Sequence, residues 1–279
     1  MDHHIIELSH QRITTSSHYH IIISLHQTMI LVYIQQLHTA KILLQSASTL
    51  AIQLQKIVGV VSFVNSDELI AIREEELKKF LPDVLTIVRN SKTNTILSVC
   101  EELEASFLFI QWSDERSKTI RGLLNACRDL RIPYLLYKDS FAELDLRKVV
   151  LPIGFLEEEL EKAQFAAAFG RFCGSEIKML LANDSGSKAA TNAEKMKLLF
   201  AKFDFNYTLD KATKDSFKVD AESIQVAKNE SAGMIIISAS RDYGLDDLLF
   251  GPKEYHVVKK SPVPVLLVNP RGDLYALCD

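Results

Sequence analysis

Residues 227–237 read AKNESAGMIII, a polar helix end running into an unbroken apolar strand, and residues 100–110, CEELEASFLFI, superpose on them without a gap. Ala105 falls on Ala232 and Ile110 on Ile237. A repeat of this kind decides the architecture, because each copy is one unit of a duplicated plan. Working outward, ILVYI at 30–34 and VVLPI at 149–153 are short, largely β-branched runs, each followed by helical periodicity and a second strand-like run. Those second runs are IVGVVSFV at 57–64 and IKMLLAN at 177–183, and at an offset of 119 residues Val60 and Val61 fall on Met179 and Leu180. Finally, IPYLLY at 132–137 mirrors VPVLLV at 263–268, with Pro133 and Pro264 suited to a strand start because proline cannot donate to a ladder. Each half reads strand, helix, strand, helix, strand, helix, strand.

Continuous apolar strands separated by helices indicate a parallel sheet covered on both faces. The expected fold class is α/β, as two tandem doubly wound parallel-sheet domains at 29–140 and 146–279, the first copy degenerate. The joint KDSFAELDLRK at 138–148 is short and polar, which predicts domains packed together and not loosely tethered. A chain of 279 residues agrees with two domains. Residues 1–28 read as a poorly ordered extension, with Met29 an alternative start. That extension holds six of the eight histidines, His3, His4, His10, His18, His20 and His26. A metal site needs more than this: no carboxylate or cysteine completes a ligand set, and only His18 and His20 share a strand face. The stretch also lacks the basic start, apolar core and cleavage site of a secretory signal.

With 36 acidic and 32 basic residues the net charge is −4, and no basic block forms, so neither nucleic acid nor a membrane surface is an expected partner. Apolar runs are all interrupted before the length of a membrane span. Cys100, Cys127, Cys173 and Cys278 are far apart, which suits free thiols in a reducing cytoplasm.

The second half, in KVVLPIGFLEEELEKAQFAAAFGRFCGSEIKMLL and SAGMIIISASRDYGLDDLLFGPKEYHVVKKSPVPVLLVNP, resembles the universal stress protein (UspA-like) family. The likeness covers residues 148–270 well and 29–138 faintly, and GLDDLLFG joined to VVKKSPVPVLLV is its most specific part. The resemblance implies an adenine nucleotide alpha hydrolase-like fold, a five-stranded parallel sheet per domain, and intrachain pairing of the two domains through their last strands. It also implies a division into ATP binders and non-binders. Binders carry an aspartate at the end of the first strand and a loop Gly-x2-Gly-x9-Gly-Ser/Thr after the fourth.

This chain departs from the binders' pattern at most points. Pro152 and Ile153 are kept, but Gly154 stands at the aspartate position. Counting back from Gly251, the loop glycines become Ser238 and Arg241, and the final hydroxyl residue becomes Pro252. A Cβ at Arg241 resists the close approach and positive φ that phosphate loops use. Pro252 removes an N–H, and Glu254 sets a carboxylate at the positive end of the following helix, where an anion would bind. In the first half Gln35 takes the aspartate position, and the interval from Ala105 to Pro133 is 28 residues against 32 from Ala232 to Pro264. No glycine cluster remains there. Gly122 reads as a packing glycine within a helix and Gly244 as a turn residue.

Other motifs carry less. GSK at 186–188 lacks the upstream Walker glycine, that position being Leu181, and reads as a turn into a helix. The run EEELEK at 157–162 reads as a solvated helix face. RGD at 271–273 has a role only outside the cell. His38 and His256 are isolated, and Ser238, Ser240 and Cys173 have no His/Asp neighbour at a recognisable spacing. The expectation is a cytoplasmic, non-catalytic stress-response protein without a cofactor. It would act through protein contacts whose partners the sequence does not name, with a homodimer possible at the sheet edges. The alternative is an ATP- or AMP-binding sensor or weak ATPase, its nucleotide held in the second domain by Ser238, Arg241, Gly251 and Lys253, the side chains of Ser238, Arg241 and Lys253 replacing lost backbone donors.

Overall fold

The computed structural model describes residues 28–113, 119–240 and 253–270. In the first half, strands β1 (Met29–Tyr33), β2 (Ile57–Val64), β3 (Leu85–Asn90), β4 (Ala105–Trp112) and β5 (Tyr134–Lys138) alternate with helices α1 (Lys41–Gln53), α2 (Glu68–Phe80), α3 (Ile96–Glu102) and α4 (Thr119–Ala126). The second half repeats the plan with β6 (Lys148–Ile153), β7 (Glu176–Leu181), β8 (Tyr207–Lys211), β9 (Met234–Ser238) and β10 (Val265–Val268). Its helices are α5 (Glu161–Cys173), α6 (Lys188–Phe200), α7 (Val219–Asn229) and α8 (Lys253–Lys260), and a 3-10 turn, Glu157–Leu160, precedes α5.

All ten strands form one sheet in the order β3-β2-β1-β4-β5-β10-β9-β6-β7-β8. Read from either edge inward the order is the same, and pairing is parallel within each half. At the centre β5 and β10 run antiparallel, Leu136 opposite Val265 and Tyr134 opposite Leu267. The prolines mark equivalent positions: Leu108 N–H donates to Pro133 O and Ile235 N–H to Pro264 O, both at 3.1 Å.

Among the described residues each half therefore holds five strands, not the four that the apolar runs indicate. The missed strands are β3 and β8, the two edges of the sheet. An edge strand has one neighbour and needs no continuous apolar run; four of the five β8 residues are exposed.

The two faces of the sheet carry cores that run through both halves. One joins α1 residues such as Leu43 and Leu50 to Phe165 and Phe169 of α5; the other joins Val99 and Leu124 to Val257 and Val258. Phe107 of β4 meets Phe169 edge-on at 6.4 Å between ring centroids. Each such fully buried ring contributes about 1.5–3 kcal/mol, so the halves stabilise one another. The joint between them is also less polar in behaviour than in composition: Phe141, Leu144 and Leu146 are buried. Leu144 N–H donates to the buried Ser46 Oγ at 2.9 Å, and Tyr137 OH donates to Ala142 O. Past the seam, Asn269 donates to Cys127 O at 2.8 Å and Leu130 O at 2.9 Å, tying the end of β10 to the turn that follows α4.

Gly122 does not serve close packing: a Cβ there would meet nothing within 4 Å. GSK does lead into α6, which begins at Lys188. Among the described residues no helix is long and apolar enough to cross a membrane, and no cluster of three or more His, Cys, Asp or Glu could hold a metal. The N-terminal histidines, Gly244 and RGD lie outside the described residues.

Candidate functional site: two crevices at the switch points

In each half the strand order reverses beside the first strand, between β1 and β4 and between β6 and β9. Ligands of open α/β sheets sit outside the carboxyl ends of the strands at such points. The registers show which residues face one another there. Tyr33 pairs with Ile110, so the next pair is Ile34 with Gln111. Val150 pairs with Ile235, and the gapless repeat sets Ser238, three residues beyond Ile235, at the place of Gln111. Gln111 and Ser238 are thus equivalent. Beyond Val150 the ladder between β6 and β9 ends, and Pro152, with no N–H to give, lies in the parted segment.

The first crevice is closed by Gln111. Its side chain, on a residue 1% exposed, accepts Gln35 N–H at 2.7 Å and Gln36 N–H at 2.8 Å through Oε1. Its Nε2 lies 2.9 Å from Gln36 O and 2.8 Å from both Thr39 Oγ1 and Asp139 Oδ1. Gln35 Nε2 returns a bond to Gln111 O at 3.0 Å. One carboxamide ties the loops after β1 and β5 to the end of β4, using the backbone donors that a ligand would seek.

The second crevice is lined differently. Gly154 stands where a carboxylate is expected in a nucleotide binder, and a Cβ there would lie 3.2 Å from Ser216 Oγ and 3.5 Å from Glu159 Oε1. Asn192 holds this turn by donating to Gly154 O at 3.0 Å and Leu156 O at 2.8 Å. Ser216 is fixed in turn by Asp184, which accepts both its N–H and its hydroxyl. The loop carrying Ser216 is anchored by Glu222, which accepts Thr213 N–H at 2.9 Å, Thr213 Oγ1 at 3.0 Å and Lys214 N–H at 2.8 Å. Burial pushes the Glu222 pKa up, but these donors and the Lys214 charge together hold it below the usual glutamate value.

EEELEK is not a solvated face throughout. Glu159 is 5% exposed and Lys162 0%, and the two form an ion pair beneath the 3-10 turn. The pattern hid this because Glu157 is exposed and Glu158 half-buried, and one buried pair inside an acidic run has no separate signature.

At the start of α8, Glu254 is fully buried and accepts Ser240 N–H at 2.7 Å and Ser240 Oγ at 2.9 Å. The carboxylate takes the donors beside a helix N-terminus, favoured there by the helix dipole. Of the four residues considered for a nucleotide, Ser238 is buried at the end of β9 with its Oγ unpartnered. Lys253 is the first residue of α8, while Arg241 and Gly251 lie outside the described residues. The structure therefore does not bring these four together as a described site. Gln111, Glu159, Lys162 and Ser216 were not singled out in the sequence. Only Gln111 had a usable signal, since the gapless repeat already sets it on Ser238.

Residues 146–269 match the universal stress protein family. No curated protein matches the chain in sequence. In structure the chain is similar to a universal stress protein of Archaeoglobus fulgidus, 14% identical, TM-score 0.63, over 88% of this chain and 100% of that one. A Pseudomonas aeruginosa protein assigned to the universal stress proteins is 12% identical, TM-score 0.61, over 87% of this chain and 93% of that one. These likenesses extend the fold to both halves.

Proposed function

Because residues 146–269 form a universal stress protein domain with an adenine nucleotide alpha hydrolase-like fold, we propose that this chain is a non-catalytic stress-response protein that works through protein contacts and holds no ATP. The observation that carries this reading is Glu254, whose buried carboxylate already uses the Ser240 N–H and hydroxyl at the start of α8. An incoming phosphate would meet a carboxyl group that has already taken the donors it needs. The residues present fit the nucleotide poorly: the Ser216 side chain stands close against Gly154 where the binders' aspartate would be, and Gln111 takes the backbone donors of the first crevice.

A surface suited to contacts lies at the mouth of the second crevice. Phe217 is 80% exposed and meets Phe155 edge-on at 5.4 Å, and Leu156 beside them is exposed. Exposed aromatic rings of this kind are enriched where proteins bind one another. The test is thermal unfolding of the full chain with millimolar ATP and magnesium. A ligand at a hundred times its Kd adds about 2.7 kcal/mol; no rise in Tm is expected here.

A second reading, an ATP- or AMP-binding sensor or weak ATPase in the second half, is favoured by Ser238, whose buried Oγ has no hydrogen-bond partner. A rise in Tm with ATP that Arg241→Ala abolishes would establish it in place of the first.

A further inference from the structure

The loop between β8 and α7 carries Phe217 on a fixed platform. Its ring, 80% exposed, meets Phe155 edge-on, and Phe155 packs onto a buried cluster that includes Ala189, Ala212 and Val219. Asp184 and Glu222 anchor the loop through its backbone N–H groups, so the ring is held out to solvent by structure that is already ordered. A partner that covers it has little loop ordering to supply.

The same cluster gathers lysines around the ring. Lys188 precedes Ala189, Lys211 precedes Ala212 and Lys218 precedes Val219, so the start of α6, the end of β8 and the start of α7 bring them to one end of the sheet. All three are exposed and make no hydrogen bond or ion pair among the described residues. The neighbouring carboxylates are engaged. Asp184 accepts the Ser216 N–H at 2.9 Å, Asp215 the Phe217 N–H at 3.1 Å, and Glu222 the N–H groups of Thr213 and Lys214 at 2.9 and 2.8 Å. Glu157 is paired with Lys195 at 3.4 Å. Open cations around an exposed ring, on a chain of net charge −4, suit an anionic partner with an apolar residue to cover Phe217.

A continuous polyanion fits this surface less well. Asp215 and Glu157 are exposed near the lysines and would repel a phosphate backbone or an anionic bilayer, whereas a peptide carries its carboxylates singly and can set them between. Resting on the reading of this chain as one that works through protein contacts, we propose that Phe217, Lys188, Lys211 and Lys218 dock an acidic segment of a partner protein. An apolar side chain of that segment covers the Phe217 ring, and its carboxylates meet the lysines.

The experiment is fluorescence anisotropy of a labelled synthetic peptide in which aspartate and glutamate alternate with leucine, titrated with the full chain. Binding is expected, and it weakens as salt rises. Phe217→Ser and the double charge reversal Lys211→Glu with Lys218→Glu are each expected to weaken it about tenfold, with unchanged circular dichroism because these side chains are exposed. Lys41→Glu, the same charge change at an exposed site of α1, should leave binding unaltered. Absence of peptide binding overturns the proposal, as does binding that ignores Phe217→Ser or falls equally with Lys41→Glu. Tighter binding to polyuridylate or to phosphatidylserine vesicles, or self-association of the chain that Phe217→Ser abolishes, identifies another occupant and overturns it too. Thermal unfolding with ATP is read separately. Peptide binding together with an ATP-dependent rise in Tm keeps the docking surface and removes the nucleotide-free reading, while no peptide binding and no rise removes the docking surface alone.

Discussion

Replacing Gln111 by leucine keeps most of the side-chain volume and deletes every hydrogen bond it makes. Three backbone groups then lose their partner: the N–H groups of Gln35 and Gln36, held at 2.7 and 2.8 Å, and Gln36 O at 2.9 Å. A buried polar group left unpaired costs about 1–3 kcal/mol. Gln35 and Gln36 are only half-buried, so water relieves part of the loss and the low end applies, about 3 kcal/mol in all. At roughly 2–4 °C per kcal/mol for a large domain, Tm falls by about 6–12 °C. The assay is urea and thermal unfolding followed by circular dichroism, with fluorescence of Trp112, the single tryptophan, reporting the crevice itself. Gln111→Glu sharpens the test. The introduced carboxyl keeps the acceptor for two N–H groups but faces the Asp139 carboxylate, which raises its folded-state pKa. That variant is penalised at neutral pH and regains stability as pH falls through the raised value. If Gln111→Leu lies within about 0.5 kcal/mol of the parent chain, Gln111 does not hold the crevice shut.

Gly233→Ala tests the path of the joint between the halves. An added Cβ would fall 1.5 Å from Asp145 O, a backbone atom that cannot swing aside, and a loss of about 3 kcal/mol is expected in urea unfolding. A loss below about 1 kcal/mol would mean that the joint lies elsewhere. Gly122→Ala should do the opposite, since the position is exposed and open: a gain of about 0.5–1 kcal/mol from helix propensity, read by the same assay. Glu222 contributes stability above its unfolded pKa of about 4.3, lost as pH falls through its lower folded value. Acid unfolding of Glu222→Gln should therefore show a shallower dependence on pH in that window, and an unchanged profile would remove Glu222 as the anchor of the Ser216 loop.

The sequence by itself determined the duplication. CEELEASFLFI and AKNESAGMIII align because buried parallel strands admit little but apolar residues, and Pro133 and Pro264 recur because a proline fits just before a strand. It also shows, at Gly154, Arg241 and Pro252, where the residues depart from the loop pattern that the resemblance implies, since residue type is read from the sequence alone. Only tertiary structure decided what occupies the altered places. Glu254 could be located at a helix N-terminus in advance, but its bond to Ser240 depends on where two segments fourteen residues apart come to rest. Gln111 acts across more than seventy residues of chain, and the Glu159–Lys162 pair hides in a run that looks solvated. Local pattern records what each residue prefers. Which donor meets which acceptor is set by strand register and by the joining of two halves into one sheet.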